Sequence, residues 1–278
     1  MPADTLSTAV RPVGGKGTRL EIVEGGTGRP ILFLHPGIGL RGATPFLERL
    51  AKLGRVTAPA HPGFHGSDVP PDTTSVDDIS YLYLDLLESL EAPAVVVGVS
   101  LGGWIALEMA VKSARRMAGL VLVDSVGVRF NTRTVQDFAD IYALSSAEID
   151  KRLYHDPSLA RIDYPNTPPA ELEVIARNRE AETRLSWSPY LHSPHLGQRL
   201  HRVDVPTSVL WGESDGLAPP AYGKRLADAL PRATFETIPG AGHFPHIEQP
   251  EELAARIARF MATLPVPDVA SGRKEMSR

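Results

Sequence analysis

The chain has 278 residues and a mass of 30.1 kDa, which allows one or two domains at about 150 residues each. Hydrophobic residues make up 42% and charged residues 22%, a globular composition that excludes a disordered chain. The net charge is −4 and there is no cysteine. These argue against a global field for nucleic acid or anionic membrane and exclude a thiol nucleophile, a disulfide scaffold and a thiolate-held metal.

The first residues, MPADTLSTAVRPVGGKG, contain no apolar signal region. No stretch approaches the roughly 18 apolar residues of a membrane span. The expectation is a cytoplasmic protein with no membrane partner. Leu20–Val23 is read as an antiparallel edge strand. Ile31–His35 (ILFLH), Arg55–Ala58, Ala94–Val99 (AVVVGV), Leu120–Asp124 (LVLVD), Ser208–Trp211 and Ala233–Ile238 read as buried strands. Their apolar runs are continuous rather than alternating, as in a parallel sheet covered on both faces. Helices are expected from Ser75 to about Glu91, over Leu101–Ala114, and from Gln249-Pro250 to about Leu264. Alternating strands and helices make the fold class α/β, a mostly parallel central sheet flanked by helices.

Between about Val126 and Val205 only helices are expected. Ser145-x-x-Glu148 is a capping box, and Thr167-Pro168-Pro169 opens a helix through about Arg184. The strand pattern resumes afterwards. Residues 1–125 and 206–265 are therefore read as one core, 126–205 as an inserted helical cap, and 266–278 as a polar tail.

Gly98-Val99-Ser100-Leu101-Gly102 matches G-x-S-x-G, and so does Gly212-Glu213-Ser214-Asp215-Gly216. Only Ser100 lies between a strand and an uninterrupted helix, the context of a nucleophile elbow. Pro219-Pro220 breaks any helix after Ser214, and its acidic neighbours oppose an alkoxide. A serine hydroxyl needs a base. His243, in Gly240-Ala241-Gly242-His243-Phe244-Pro245 between the last strand and last helix, stands at the carboxyl rim where ligands bind. His246 is the second choice. The base needs an acceptor to fix its tautomer. Asp215 follows a strand on the same rim and is preferred to Asp124, which ends LVLVD. A tetrahedral intermediate needs two N–H donors. Leu101 supplies one. Pro36 has no N–H, so Gly37 is expected to supply the other, with Ile38 in reserve.

Gly37-x-Gly39-x-x-Gly42 also fits a dinucleotide fingerprint, but no acid ends the next strand, Pro59-Ala60-His61-Pro62. His61 with His65, and His192 with His195, lack the spacing of a metal pair on a helix. No metal and no cofactor are expected. Trp104, Trp187, Tyr190 and His192 are read as core or surface rather than site. A catalytically silent binding protein is disfavoured because the nucleophile, base and acid are all present.

Together FLHPGIG, PAHPGFHGSD, GVSLGGW, LVLVD, LWGESDGLAPP and IPGAGHFPHIEQPEEL resemble the α/β-hydrolase superfamily, in its cap-bearing branch, over about residues 18–264. The resemblance implies an α/β-hydrolase fold, Ser100 as nucleophile, Asp215 as acid, His243 as base, and Gly37 with Leu101 as the oxyanion hole. It implies a cofactor-free serine hydrolase acting on a small or medium carboxylic ester. Carbon–carbon bond hydrolases of vinylogous diketones, lactonases, amidases and perhydrolases share the architecture. A diketone dicarboxylate would call for inward cations, for which Arg133, Arg152, Arg177 and Arg184 are candidates. The chain departs from the family at His35-Pro36, where His-Gly is usual, and at Ala60-His61-Pro62-Gly63-Phe64-His65-Gly66-Ser67, which lacks the usual Asp and one Gly.

Overall fold

The computed structural model describes residues 5–132, 134–160 and 162–265. Its strands are β1 (Ser7–Val13), β2 (Thr18–Gly25), β3 (Pro30–Leu34), β4 (Arg55–Pro59), β5 (Ala94–Val99), β6 (Met117–Val123), β7 (Thr207–Gly212) and β8 (Ala233–Ile238). Its helices are α1 (Thr44–Leu53), α2 (Val76–Ser89), α3 (Leu101–Lys112), α4 (Ser146–Leu153), α5 (Pro169–Ser186), α6 (Pro220–Ala229), α7 (Pro245–Glu248) and α8 (Pro250–Ala262).

The strands form one sheet in the order β1-β2-β4-β3-β5-β6-β7-β8. From β4 to β8 all pairs are parallel; β1 and β2 join antiparallel. Alternation along β3 explains the continuous apolar run. Leu32 and Leu34 enter the core shared with α2, α3 and α6, while Ile31 and Phe33 enter the core shared with α1 and α8. Successive side chains point to opposite faces, so a strand covered on both must be apolar throughout. Ser75 caps α2 in a capping box with Asp78, as its sequence requires.

Two expectations about the edges need correction. Leu20–Val23 lies inside β2 rather than at an edge, because β1 pairs outside it along Ser7–Val13. β1 is exposed at all but its last residue, so it carries no apolar run to betray it. β8 is an edge strand with Thr234, Glu236 and Thr237 exposed, rather than a buried one. Between β6 and β7 the described residues contain α4, α5, three short 3-10 turns and one isolated bridge, Gly127 with His192, but no strand. The polar tail from 266 lies outside the described residues.

Candidate active site

Ser100 sits between β5 and α3 at φ 52°, ψ −112°, a left-handed conformation that is strained for a serine. Glycine makes the turn possible. A Cβ on Gly98 would lie 2.5 Å from the Gly102 carbonyl oxygen, and one on Gly102 would lie 2.0 Å from that of Leu34. The Ser100 N–H donates to Val123 O at 2.9 Å and its carbonyl accepts from Trp104 N at 3.1 Å. The turn is thus tied to β6 on one side and to α3 on the other. Ser100 Oγ is presented at the N-terminus of α3, where unpaired N–H groups and the helix dipole favour negative charge.

His243 comes from the loop between β8 and α7. Its N–H donates to Leu153 O at 2.7 Å, so the loop is held against the end of α4. A Cβ on Gly242 would come within 2.6 Å of that same carbonyl oxygen. Asp215 follows β7, and its Oδ1 accepts from the N–H groups of Leu217 at 2.9 Å and Ala218 at 3.1 Å. This leaves Oδ2 aimed at the imidazole, 2.8 Å from His243 Nδ1; His243 Nε2 is 2.8 Å from Ser100 Oγ. A carboxylate only accepts, so Nδ1 carries the proton and Nε2 is free to accept from the serine hydroxyl. All three side chains are buried. Ser100, His243 and Asp215, expected from sequence, are therefore brought into one hydrogen-bonded chain. Ser214 is exposed and bonds His155 Nδ1 at 2.9 Å, away from that chain.

Asp124, the other acid considered, directly follows β6 at φ 45° and is fully buried. Its Oδ1 accepts from Gly212 N–H at 2.8 Å, while Oδ2 has no partner among the described residues. Burial, with the neighbouring Asp215 charge, pushes the Asp124 carboxyl well above the usual carboxylate range. Burial thus favours the protonated form of Asp124. Asp124, Asp215 and His243 place oxygen or nitrogen atoms within 4.8 Å of one another, the one such cluster with metal-ligand chemistry among the described residues. His243 already spends both nitrogens on Ser100 and Asp215, which leaves Asp124 Oδ2 as the uncommitted atom. His246, the second choice for the base, packs instead against Phe33, Phe46 and Phe244. Burial lowers its pKa to about 3, so it is a neutral core residue.

A cavity of about 390 Å³ opens above Ser100, within the range of small-molecule sites. Gly37, Ile38, Leu101 and His243 line it. The N–H groups of Gly37 and Leu101 have no acceptor among the described residues, which leaves both free to bind an oxygen. The loop carrying Gly37 is held by histidines to which the sequence assigned no role in the site. His35 Nδ1–H donates to Pro36 O at 2.7 Å, and its Nε2 accepts from His61 N–H at 2.9 Å. The His61 ring stacks on His35 with centroids 3.6 Å apart and bonds Tyr83 Oη at 2.6 Å. His65 Nε2 accepts from Leu40 N–H at 2.9 Å. Burial holds His35 and His61 well below the usual imidazole range. His35, His61 and His65 thus form a neutral clamp on the loop, and of the three only His65 stands at a position where the chain departs from the family pattern.

The charged side chains on the cavity wall differ from those proposed from sequence. Arg152, Arg177 and Arg184 do not line it; Arg177 donates to Gly63 O and Ser67 O instead. Arg133 lies outside the described residues. Arg41, Asp150, Arg179 and Glu182 line it, and sequence reading missed all four. Periodicity held part of the signal: Ile175, Asn178, Glu182 and Ser186 recur at helical spacing along α5. Trp104, Trp187, Tyr190 and His192 are not on the wall. Trp104 donates to Ser193 Oγ at 3.1 Å, and Trp187 packs on Tyr142 at the surface.

Residues 31–256 match the model of the family described as "Alpha/beta hydrolase family". A 2-hydroxymuconate semialdehyde hydrolase of Pseudomonas sp. (strain CF600) is 30% identical over 268 residues, covering 91% of this chain and 93% of its own. An sn-1-specific diacylglycerol lipase of Mus musculus is 26% identical over 259 residues, covering 84% of this chain and 80% of its own. Among solved structures, the meta-cleavage product hydrolase of Pseudomonas fluorescens IP01 superposes with a TM-score of 0.72 at 22% identity, covering 91% of this chain and 97% of that one.

Proposed function

The chain belongs to the alpha/beta hydrolase family, and from that premise we propose that it is a serine hydrolase cleaving small or medium carboxylic esters. The reading rests on one observation above all: the unbroken Asp215–His243–Ser100 hydrogen-bond chain, with two bonds of 2.8 Å, beneath the cavity. Ser100 Oγ attacks the ester carbonyl as His243 Nε2 takes its proton. Asp215 holds the imidazole in the required tautomer and stabilises its positive charge. The tetrahedral oxyanion is received by the N–H groups of Gly37 and Leu101; loss of one such donor typically costs about 10²–10³ in turnover. His243 then protonates the departing alcohol. Water, deprotonated by the same imidazole, cleaves the acyl-Ser100 ester, releasing the acid and restoring the serine. In this reading the helices of residues 126–205 act as a cap that shapes the acyl pocket, and the ligand is a small molecule with no cofactor required.

A second reading, hydrolysis of a carbon–carbon bond in a vinylogous diketone, is favoured by the relative from Pseudomonas sp., whose name states an activity on 2-hydroxymuconate semialdehyde. Lactone hydrolysis and perhydrolysis would use the same residues. Rapid-mixing kinetics with 4-nitrophenyl butyrate test the proposal. A burst of nitrophenol, lost in Ser100→Ala and kept in Ser214→Ala, is the expected result. No burst from the wild type, together with rapid bleaching of a coloured dienone substrate, would replace the ester reading with the second one.

A further inference from the structure

α5 lays Glu182 on the cavity wall directly over Gly37. A Cβ built on Gly37 would lie 2.0 Å from Glu182 Oε1 and 2.2 Å from its Cδ. Residue 37 must therefore be glycine for Glu182 to reach this place, and the carboxyl sits beside the N–H assigned to the oxyanion. Neither carboxyl oxygen finds a hydrogen-bond partner among the described residues, and loss of solvent pushes the group up to about 7. His243 and Arg179 offset this only in part. The Tyr190 hydroxyl, near enough to sense the Glu182 charge, is spent on Ile141 N–H and Ala139 O, and Arg179 is exposed and donates to Tyr164 Oη at 2.9 Å. Arg41 and Asp150 stand elsewhere on the same wall.

Glu182 is half-buried, and its carboxyl, with no donor from the protein, is left for cavity water or a ligand to satisfy. We propose that Glu182 determines substrate class: it selects acyl groups that carry a positively charged amine a few bonds from the scissile carbonyl and rejects those that carry a carboxylate. The inference rests on the ester-hydrolase reading and adds the charge of the acyl group to it. The electrostatics favour the same class during turnover. Charge develops on the oxyanion next to Gly37, and an ionised Glu182 alone would oppose it. An ammonium lying between the two carboxyl oxygens and the substrate cancels that opposition, so the cation aids both binding and the transition state. A second carboxylate would add to the repulsion.

Three ethyl esters that differ only in the terminal group provide the test: ethyl butyrate with methyl, ethyl β-alaninate with ammonium, and monoethyl succinate with carboxylate. Acid release is followed by titration at about pH 8, where Glu182 is ionised and the amine still charged. The expected order of kcat/KM in the wild type is ammonium, then methyl, then carboxylate, with at least about a hundredfold between the extremes. Glu182→Gln should shrink that ratio by about tenfold or more, and Glu182→Asp, which keeps the charge, should retain the order. Ratios are taken within each protein, so a change in the folded fraction does not move them. Wild-type turnover without this order, or an unchanged ratio in Glu182→Gln, overturns the inference while leaving the ester reading in place. Absence of turnover on all three by the wild type overturns the ester reading and the inference with it.

Discussion

Two buried aspartates stand at the end of the His243 imidazole, and their unequal roles give the sharpest prediction. Asp215 spends Oδ1 on two backbone N–H groups, so only Oδ2 faces Nδ1. In Asp215→Asn the carboxamide oxygen keeps those two bonds and the NH2 turns toward the imidazole. Nδ1 then becomes the acceptor and the ring proton moves to Nε2, where it faces Ser100 Oγ and blocks proton uptake. The wrong tautomer and the lost negative charge together cost about 10⁴ in turnover in the serine-protease triad, roughly 5 kcal/mol in barrier height. A similar loss is expected here, because the one other carboxyl beside the imidazole, that of Asp124, is disfavoured as an anion chiefly by burial, which the substitution leaves in place. In Asp124→Asn the Gly212 N–H keeps an oxygen acceptor and no charge is removed, so turnover should fall by no more than about tenfold. The assay is single-turnover acylation by 4-nitrophenyl butyrate with folding checked by circular dichroism. If Asp124→Asn loses as much rate as Asp215→Asn, the negative charge resides on Asp124 and the assignment of the acid is wrong.

Acid should destabilise the fold through His61 and His246, whose imidazoles are buried and lowered to about 3. The unfolded chain takes up protons below about 6.5 and the folded chain does not until near 3, so stability present above 6.5 is lost as pH falls through that window. At about pH 5 each histidine costs roughly 2 kcal/mol. Urea midpoints at neutral pH and about pH 5 measure it, and equal midpoints, with His246→Phe showing no lessened acid sensitivity, would refute it. Gly102→Ala should cost about 3 kcal/mol or more, since its Cβ would sit 2.0 Å from a backbone carbonyl oxygen in the sheet. Gly15→Ala meets nothing within 4 Å and should stay within about 0.5 kcal/mol. Thermal melts of the pair compare them directly.

The parts of the site legible in the sequence are those encoded over a few neighbouring residues. The elbow at Ser100 needs a buried strand, two flanking small residues and a helix, all within one short stretch, and the glycine spacing that makes the turn possible is visible as letters. The order serine, acid, histidine along the rim follows from which strand each loop ends. Strands β3 to β7 announce themselves because both of their faces must be apolar. β1 and the exposed side of β8 do not, because an edge strand needs only backbone pairing, which leaves no mark on composition.

Sequence alone determined the alternation of buried strands and helices, the turn that strains Ser100, and the short list of acids and bases able to serve it. Folding decided the rest. It turned Asp215 Oδ2 toward His243 Nδ1 and Asp124 Oδ1 toward Gly212 N–H, since which carboxyl meets the imidazole depends on how two loop ends from different strands are packed together. It sent His246 into an aromatic core, turned His35, His61 and His65 into a clamp on the Gly37 loop, and brought Glu182 from a helix some 145 residues away to that same glycine. Contacts of this kind are set by packing between distant segments, and no local pattern of residues carries them.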